Sequence, residues 1–170
     1  MAEEGTLSSA GFDIRLAWRR NDPRIEADAI EMWSRLGILP PEVRPEDRAK
    51  QLVSAAYSEG RIAAVATGVV EYIDFLRERF VVMRSMTAPD FRRTHAQVAL
   101  AIPTMPFLEE WAKAHPEEKI AGMIGFVEPG AWGEGARLPR GPYFGWTLVG
   151  YTQDGQQVRV VWFDHYRIGS

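Results

Sequence analysis

Apolar and polar side chains alternate near the start of the chain. Between residues 12 and 18 every second side chain is apolar, which is the pattern of a half-buried strand. Near the C terminus, residues 146–152 and 157–168 flank a segment that contains Asp154-Gly155. Because Asp-Gly readily adopts the positive φ of a tight turn, this arrangement predicts a β-hairpin.

Helical spacing appears between these ends. Asp22 is a helix-capping residue followed by a proline, and apolar positions then recur at helical spacing as far as Gly37, which predicts an amphipathic helix. After a proline-rich connection, the apolar positions of residues 46–58 predict a second helix, which ends at Gly60. Residues 92–114 predict a third helix, kinked or split by two internal prolines.

Three further segments are apolar at nearly every position. They are residues 61–73, 80–88 and 119–127, and continuous apolar runs of this kind predict strands buried in the middle of a sheet. A short charged segment separates the first two, which suggests an antiparallel pair. The glycine- and proline-rich residues 129–142 predict a loop with at most a short turn of helix.

The order of predicted elements defines the expected fold class. It is α/β (α+β in some schemes), with one mixed, mostly antiparallel sheet of six to seven strands and helices on both faces. Residues 1–10 are small and polar, and we expect a flexible N terminus there. Residues 11–170 are expected to form a single domain.

Composition narrows the functional classes. Hydrophobic residues make up 46% of the chain, enough to build a core. The 20 basic and 23 acidic residues form no basic cluster, so we expect no nucleic acid partner. The chain has no cysteine, no segment resembling a signal peptide and no apolar run long enough for a bilayer. We therefore expect a cytoplasmic protein with no membrane role.

One segment carries a family resemblance. Residues 87–100 read TAPDFRRTHAQVAL, and they resemble the strand, Pro- and Arg-containing turn and helix of the GNAT (Gcn5-related N-acetyltransferase) superfamily. The order of elements is similar to that superfamily over about the whole chain. The resemblance implies an acyl-CoA cosubstrate, acetyl-CoA first, whose pantetheine arm lies in a cleft where the sheet splays. It assigns CoA binding to Met86, Thr87, Ala88, Arg92, Arg93, Thr94, His95, Ala96 and Gln97.

Such a turn suits a pyrophosphate for physical reasons. Unpaired backbone N–H groups and the dipole at a helix N terminus attract an anion, and arginines add charge-assisted hydrogen bonds. The family usually has glycine at the positions of His95 and Gln97. Two alternatives follow: the side chains block close approach of the ligand, or His95 itself contacts a phosphate.

The catalytic candidates are one carboxylate and two phenols. Glu71 lies among apolar residues, and burial would give it the raised pKa of a general base; the alternative is a strand-end glutamate that faces water. Tyr143 and Tyr151 are candidate acids for the leaving thiolate, or else packing aromatics. Aromatic residues of the 129–146 loop either line an acceptor pocket or attach the loop to the core.

Two functions remain after these arguments. The first is transfer of an acyl group from acyl-CoA to an amine of a small molecule by direct attack, with Met86 or Thr87 donating an N–H to the oxyanion. The second is a catalytically degenerate GNAT-like binding module. The three histidines lack the spacing of a metal site, so we expect no metal. A homodimer is compatible with either function.

Overall fold

The computed structural model describes residues 6–169. Within that range the chain forms eight strands, three α-helices and three short 3₁₀ turns. The strands are β1 (Thr6–Ser9), β2 (Phe12–Leu16), β3 (Leu52–Ser58), β4 (Arg61–Ile73), β5 (Glu78–Thr87), β6 (Ile120–Val127), β7 (Thr147–Tyr151) and β8 (Gln157–Trp162). The α-helices are α1 (Pro23–Leu36), α2 (Pro45–Ala49) and α3 (Ala96–Ala114). The 3₁₀ turns cover Pro89–Phe91, Pro116–Glu118 and Gly133–Arg137.

The strands form one mixed sheet in the order β1-β2-β3-β4-β5-β6-β8-β7. The pairs β1/β2, β2/β3, β3/β4, β6/β8 and β7/β8 are antiparallel, whereas β5 and β6 are parallel. The predicted class and the mostly antiparallel sheet are confirmed. The predicted six to seven strands are too few, because the sequence analysis missed β1 and β3.

β1 corrects the prediction of a flexible N terminus where the structure describes it. Thr6–Ser9 pairs with β2 in antiparallel register. Ala10 and Gly11 both have positive φ, at 49° and 85°, which is the conformation of a two-residue hairpin turn. The rest of the predicted flexible segment, residues 1–5, lies outside the described residues.

α1 begins and ends where the sequence predicts. The Asp22 side chain accepts hydrogen bonds from the N–H groups of Arg24 and Ile25, at 2.9 and 3.3 Å. Gly37 adopts φ 59°, and its N–H donates to the Trp33 carbonyl at 2.9 Å. Both ends are therefore capped by residue types suited to those positions.

The helix predicted over residues 46–58 is wrong beyond its first turn. Only Pro45–Ala49 is helical, and Leu52–Ser58 is a strand in which six of the seven side chains are buried. A strand covered on both faces has no alternation of apolar and polar positions. The apolar residues of β3 therefore match the spacing of a helix as well as that of a buried strand.

The remaining predicted elements are confirmed with shifts at their ends. β4 and β5 occupy the two apolar runs, and β6 occupies the third. α3 is a single helix that contains both prolines, so the predicted split does not occur, and it begins at Ala96 rather than near residue 92. β8 ends at Trp162, short of the predicted residue 168.

The chain divides into two compact units, each with its own core. The first runs to Gly68 and continues over Ser85–Leu108, and the second contains Val69–Arg84 and the chain from Glu109 onward. α1 packs on β3 and β4 in the core of the first. β5, β6 and β8 supply that of the second. A single domain stays a prediction.

Of the helices within residues 6–169, none has the length and apolar character needed to cross a bilayer.

Candidate functional site

The predicted anion-binding turn joins β5 to α3 in the first unit. β5 ends at Thr87, a 3₁₀ turn covers Pro89–Phe91, and α3 begins at Ala96. The His95 carbonyl accepts the N–H of Ala99 at 2.9 Å, so the helical ladder starts at His95. The N–H groups of the first helical turn have no acceptor within the helix; Ala96 itself is buried, whereas Gln97 is exposed.

The backbone at His95 has the conformation that glycine favours. His95 has φ 61°, and Arg93, two residues earlier, has φ 70°. This left-handed region is uncommon for residues other than glycine and costs about 1 kcal/mol or more. The backbone therefore follows a path typical of glycine at a position where this chain has a histidine, whose side chain is exposed.

Positive charge dominates the side chains of the turn. Arg92, Arg93 and His95 are exposed, and the first turn of α3 contains no acidic residue. The nearby carboxylate of Asp90 is already 3.8 Å from the Arg61 guanidinium. The three side chains can therefore add charge to the anion site, with His95 contributing when it is protonated.

Thr94 holds the turn together. Its hydroxyl donates to the Phe91 carbonyl at 2.5 Å, and its N–H donates to the same oxygen at 3.2 Å. The Thr94 side chain, which was predicted to bind CoA, is thus hydrogen-bonded within the turn.

Gln97, at the second family glycine, makes a contact that the sequence did not reveal. Its side-chain amide donates a 2.6 Å hydrogen bond to the hydroxyl of Ser85 on β5. Both side chains are exposed. A ligand that runs from the start of α3 to β5 over Ser85 must displace this contact.

The hydrogen bonds at the end of β5 indicate which of the two predicted oxyanion donors, Met86 or Thr87, is better placed. The N–H of Ala88 donates to the Ala63 carbonyl of β4 at 2.8 Å, and the Ala88 carbonyl accepts the Phe91 N–H at 2.9 Å. Since consecutive residues of a strand direct their N–H groups to opposite edges, the N–H of Thr87 faces away from β4. Thr87 is therefore a better oxyanion donor than Met86. Ala88 has little hydrogen-bonding capacity left, because its N–H and its carbonyl are both engaged.

The three predicted catalytic residues lie in the second unit. Glu71 is exposed on β4, so the burial expected of a general base is wrong and the alternative of a water-facing glutamate is favoured. Tyr143 and Tyr151 are 59% and 63% exposed, and the Tyr143 ring lies 6.4 Å from the ring of Phe144. Their catalytic roles stay predictions.

The aromatic loop is anchored by Arg159, which the sequence analysis missed. Arg159 lies on β8 and is fully buried. Its guanidinium donates to the carbonyls of Ala136, Leu138 and Trp146 at 3.0, 2.9 and 3.2 Å, and to the Gln157 side chain at 2.8 Å. A cation–π contact with the Trp132 ring adds to these bonds. The loop is therefore attached to the second unit by a buried charge as well as by aromatics.

Metal-binding geometry is absent from the part of the chain that the structure describes. No group of three or more His, Asp or Glu side chains is placed to hold an ion there. His115 instead stacks on the Trp111 ring with centroids 4.0 Å apart. The Nδ1 of His165 lies 3.8 Å from the Glu109 carboxylate.

No protein-family model and no curated protein sequence matches the chain. Its fold does match solved structures. A ribosomal-protein-S5-alanine acetyltransferase from Vibrio fischeri matches with a TM-score of 0.63 at 9% identity, over 95% of this chain and 98% of that one. A putative acetyltransferase from Salmonella typhimurium, determined with acetyl-CoA, gives 0.62 at 14% identity, over 94% and 98%. An aminoglycoside 6'-N-acetyltransferase complexed with coenzyme A gives 0.55 at 13%, over 91% and 98%. The chain therefore has the fold of the GNAT acetyltransferases, as the sequence predicts.

Proposed function

We propose that this protein is an acyl-CoA-dependent N-acyltransferase, with acetyl-CoA as the first donor to test and an amine of a small molecule as acceptor. The observation that carries the proposal is the left-handed backbone at His95. It supports a turn that still presents the N–H groups of an α-helix start to a pyrophosphate. The structures with acetyl-CoA and CoA that share this fold support the choice of donor.

The proposed acyl-CoA site lies at the end of β5 and the start of α3. The N–H groups of Ala96 and Gln97, together with the guanidinium groups of Arg92 and Arg93, bind the pyrophosphate. The main chain of Met86 and Thr87 borders the pantetheine arm like an added strand. The N–H of Thr87 donates to the thioester oxygen as negative charge develops there.

Acyl transfer then requires one bond to form and one to break. The neutral amine attacks the thioester carbonyl, the new C–N bond forms, and the C–S bond breaks. The amine loses a proton to water, and the departing thiolate gains one from solvent. Positioning of the two substrates supplies much of the rate enhancement in such a mechanism.

Binding is the first test. Acetyl-CoA at about 100 times its Kd should stabilise the protein by about 2.7 kcal/mol, which thermal unfolding detects. Arg92→Ala should abolish most of this shift, because it removes a charge-assisted contact. Absence of a shift with millimolar CoA and acetyl-CoA would reject the proposal. Release of free thiol with a panel of small amines then tests catalysis.

A degenerate binding module is the second candidate. Two observations favour it: Glu71, the predicted base, is exposed rather than buried, and the side chain of Gln97 stands where the family has glycine. It predicts CoA binding, or binding of another phosphate-bearing ligand, with no thiol release for any amine. Turnover of a single amine would exclude it.

A further inference from the structure

A cleft on the α1 side of the first unit borders the 3₁₀ part of the anion-binding turn but not the start of α3. Its volume is about 440 Å³, and it is lined by the second half of α1, the turn between β3 and β4, and Ala88–Phe91. That volume is within the range of small-molecule sites. Nothing in the proposed acyl transfer uses the α1 side chains that line it.

Four of the five charged side chains in this cleft neutralise one another. Glu31 and Arg35 form an ion pair at 3.1 Å, and Arg61 and Asp90 form another at 3.8 Å. Asp28 is the fifth charged residue of the lining. Among residues 6–169 no ion-pair partner of Asp28 is found within 4.0 Å, and the lining keeps one uncompensated negative charge.

The Asp28 carboxylate is held in place by a hydrogen bond. It is half-buried, and its Oδ2 accepts the hydroxyl of Tyr57 at 2.8 Å. Tyr57 is itself buried, and the Arg15 guanidinium lies over its ring at 4.2 Å from the centroid. One oxygen of Asp28 is thus fixed by a rigid phenol, while Oδ1 has no hydrogen bond to residues 6–169.

The rest of the cleft is apolar at its base. Met32, Ile62 and Ala88 are at least 90% buried, and Phe91 packs beside them. An apolar base with one fixed carboxylate suits a ligand that carries a positive charge on a compact hydrophobic body.

We propose that this cleft is a binding site for a primary ammonium compound with an apolar body, and that Asp28 is its anchor. The ammonium group donates to Oδ1 of Asp28, and the hydrophobic body covers Met32 and Ile62. The proposal goes beyond acyl transfer, because binding requires neither CoA nor the arginines and helix start of the anion-binding turn.

Calorimetric titration of the full chain with benzylamine and with benzyl alcohol tests the proposal. At pH 7 benzylamine is protonated, whereas benzyl alcohol has nearly the same shape and no charge. We expect benzylamine to bind at least about tenfold more tightly, because hydrogen bonds between charged groups are the stronger ones. Asp28→Asn, which keeps an oxygen for Tyr57, should remove this preference. Asp90→Asn, the matched change at another lining carboxylate, should preserve it.

Amide chemical shifts of the wild-type protein provide a second readout that needs no variant. On titration with benzylamine, the residues of the β3–β4 turn and of Ala88–Phe91 should shift together. Equal affinity for benzylamine and benzyl alcohol, an unchanged preference in Asp28→Asn, or shifts confined to other parts of the chain would each overturn the proposal.

Discussion

The side-chain amide of Gln97 donates a 2.6 Å hydrogen bond to the hydroxyl of Ser85, which links the first turn of α3 to β5. A glycine at position 97 would leave this space open. The proposed pantetheine arm follows the same stretch of β5, so the contact must break when CoA binds. The proposed pyrophosphate site, by contrast, uses backbone N–H groups that the contact does not occupy.

Gln97→Ala should therefore strengthen CoA binding by about two- to tenfold, which corresponds to the net free energy of one hydrogen bond. Affinity for 3',5'-ADP, which lacks the arm, should stay unchanged. Ser85→Ala is the matched control, because it removes the same bond from the strand side and should have the same effect. Calorimetry measures all four affinities, and weaker CoA binding by Gln97→Ala would contradict this interpretation of the contact.

Position 95 should prefer glycine to alanine, and position 97 should prefer alanine to glycine. His95 has a left-handed backbone, which alanine tolerates poorly and glycine well, so His95→Gly should be more stable than His95→Ala by about 1 kcal/mol. Position 97 lies within α3, where glycine is worse than alanine by about 1 kcal/mol. Urea unfolding of the four variants measures both differences. If alanine were preferred to glycine at position 95 as well, His95 would not be left-handed in solution.

Arg159→Met should destabilise the protein by about 3 kcal/mol or more. The change keeps much of the side-chain volume but removes four hydrogen bonds from a buried cation, and hydrogen bonds to charged groups are the stronger ones. The Leu138 carbonyl loses its donor, whereas the Ala136 and Trp146 carbonyls keep the side-chain amide of Gln157 and the N–H of Gly141. Arg137→Met is the control in the same loop, since Arg137 is exposed and forms an exposed ion pair with Glu134; its effect should stay within about 0.5 kcal/mol. Chemical unfolding measures stability, and protease cleavage of the loop should accelerate only in Arg159→Met.

Alkaline pH should destabilise the wild type more steeply than Tyr57→Phe. Burial, and then the hydrogen bond to Asp28, raise the pKa of Tyr57 well above its ordinary value of 10.0. Below about pH 10 the phenol is protonated in both the folded and unfolded states, so its contribution is constant. Above that pH only the unfolded state loses the proton, and stability falls by up to about 1.4 kcal/mol per pH unit.

Urea unfolding between pH 9 and about pH 11 gives this slope for the wild type and Tyr57→Phe. Phenolate absorbance provides a second measurement, because one of the five tyrosines should ionise only as the protein unfolds. Equal pH slopes for the two proteins would mean that Tyr57 ionises normally in the folded state.

The sequence predicted those elements whose signals are local. Asp22 and Gly37 set the ends of α1, and Asp154-Gly155 sets the final hairpin, because each acts on its own backbone. β3 was missed for the opposite reason: its burial on both faces depends on neighbours that are distant in sequence. Nothing local distinguishes Leu52–Ser58 from a helix.

The candidate site likewise has features that the sequence predicted and features that it did not. The order of residues 87–100 was enough to predict a strand, a turn and a helix. The left-handed backbone at His95 was not predictable, because glycine is the usual marker of that conformation and it is absent here. Arg159 was equally hidden, since the carbonyls it contacts belong to a loop more than ten residues away in sequence.

The division into units bears on how the protein emerges from the ribosome. The first unit is interrupted by Val69–Arg84 and resumes only at Ser85. A nascent chain that has reached Gly68 therefore lacks Ala88, whose N–H completes the ladder at Ala63, and lacks α3 altogether. Native packing of the first unit is therefore complete only once residue 108 has left the exit tunnel, and the turn at His95 joins that unit after β3 and β4 have been synthesised.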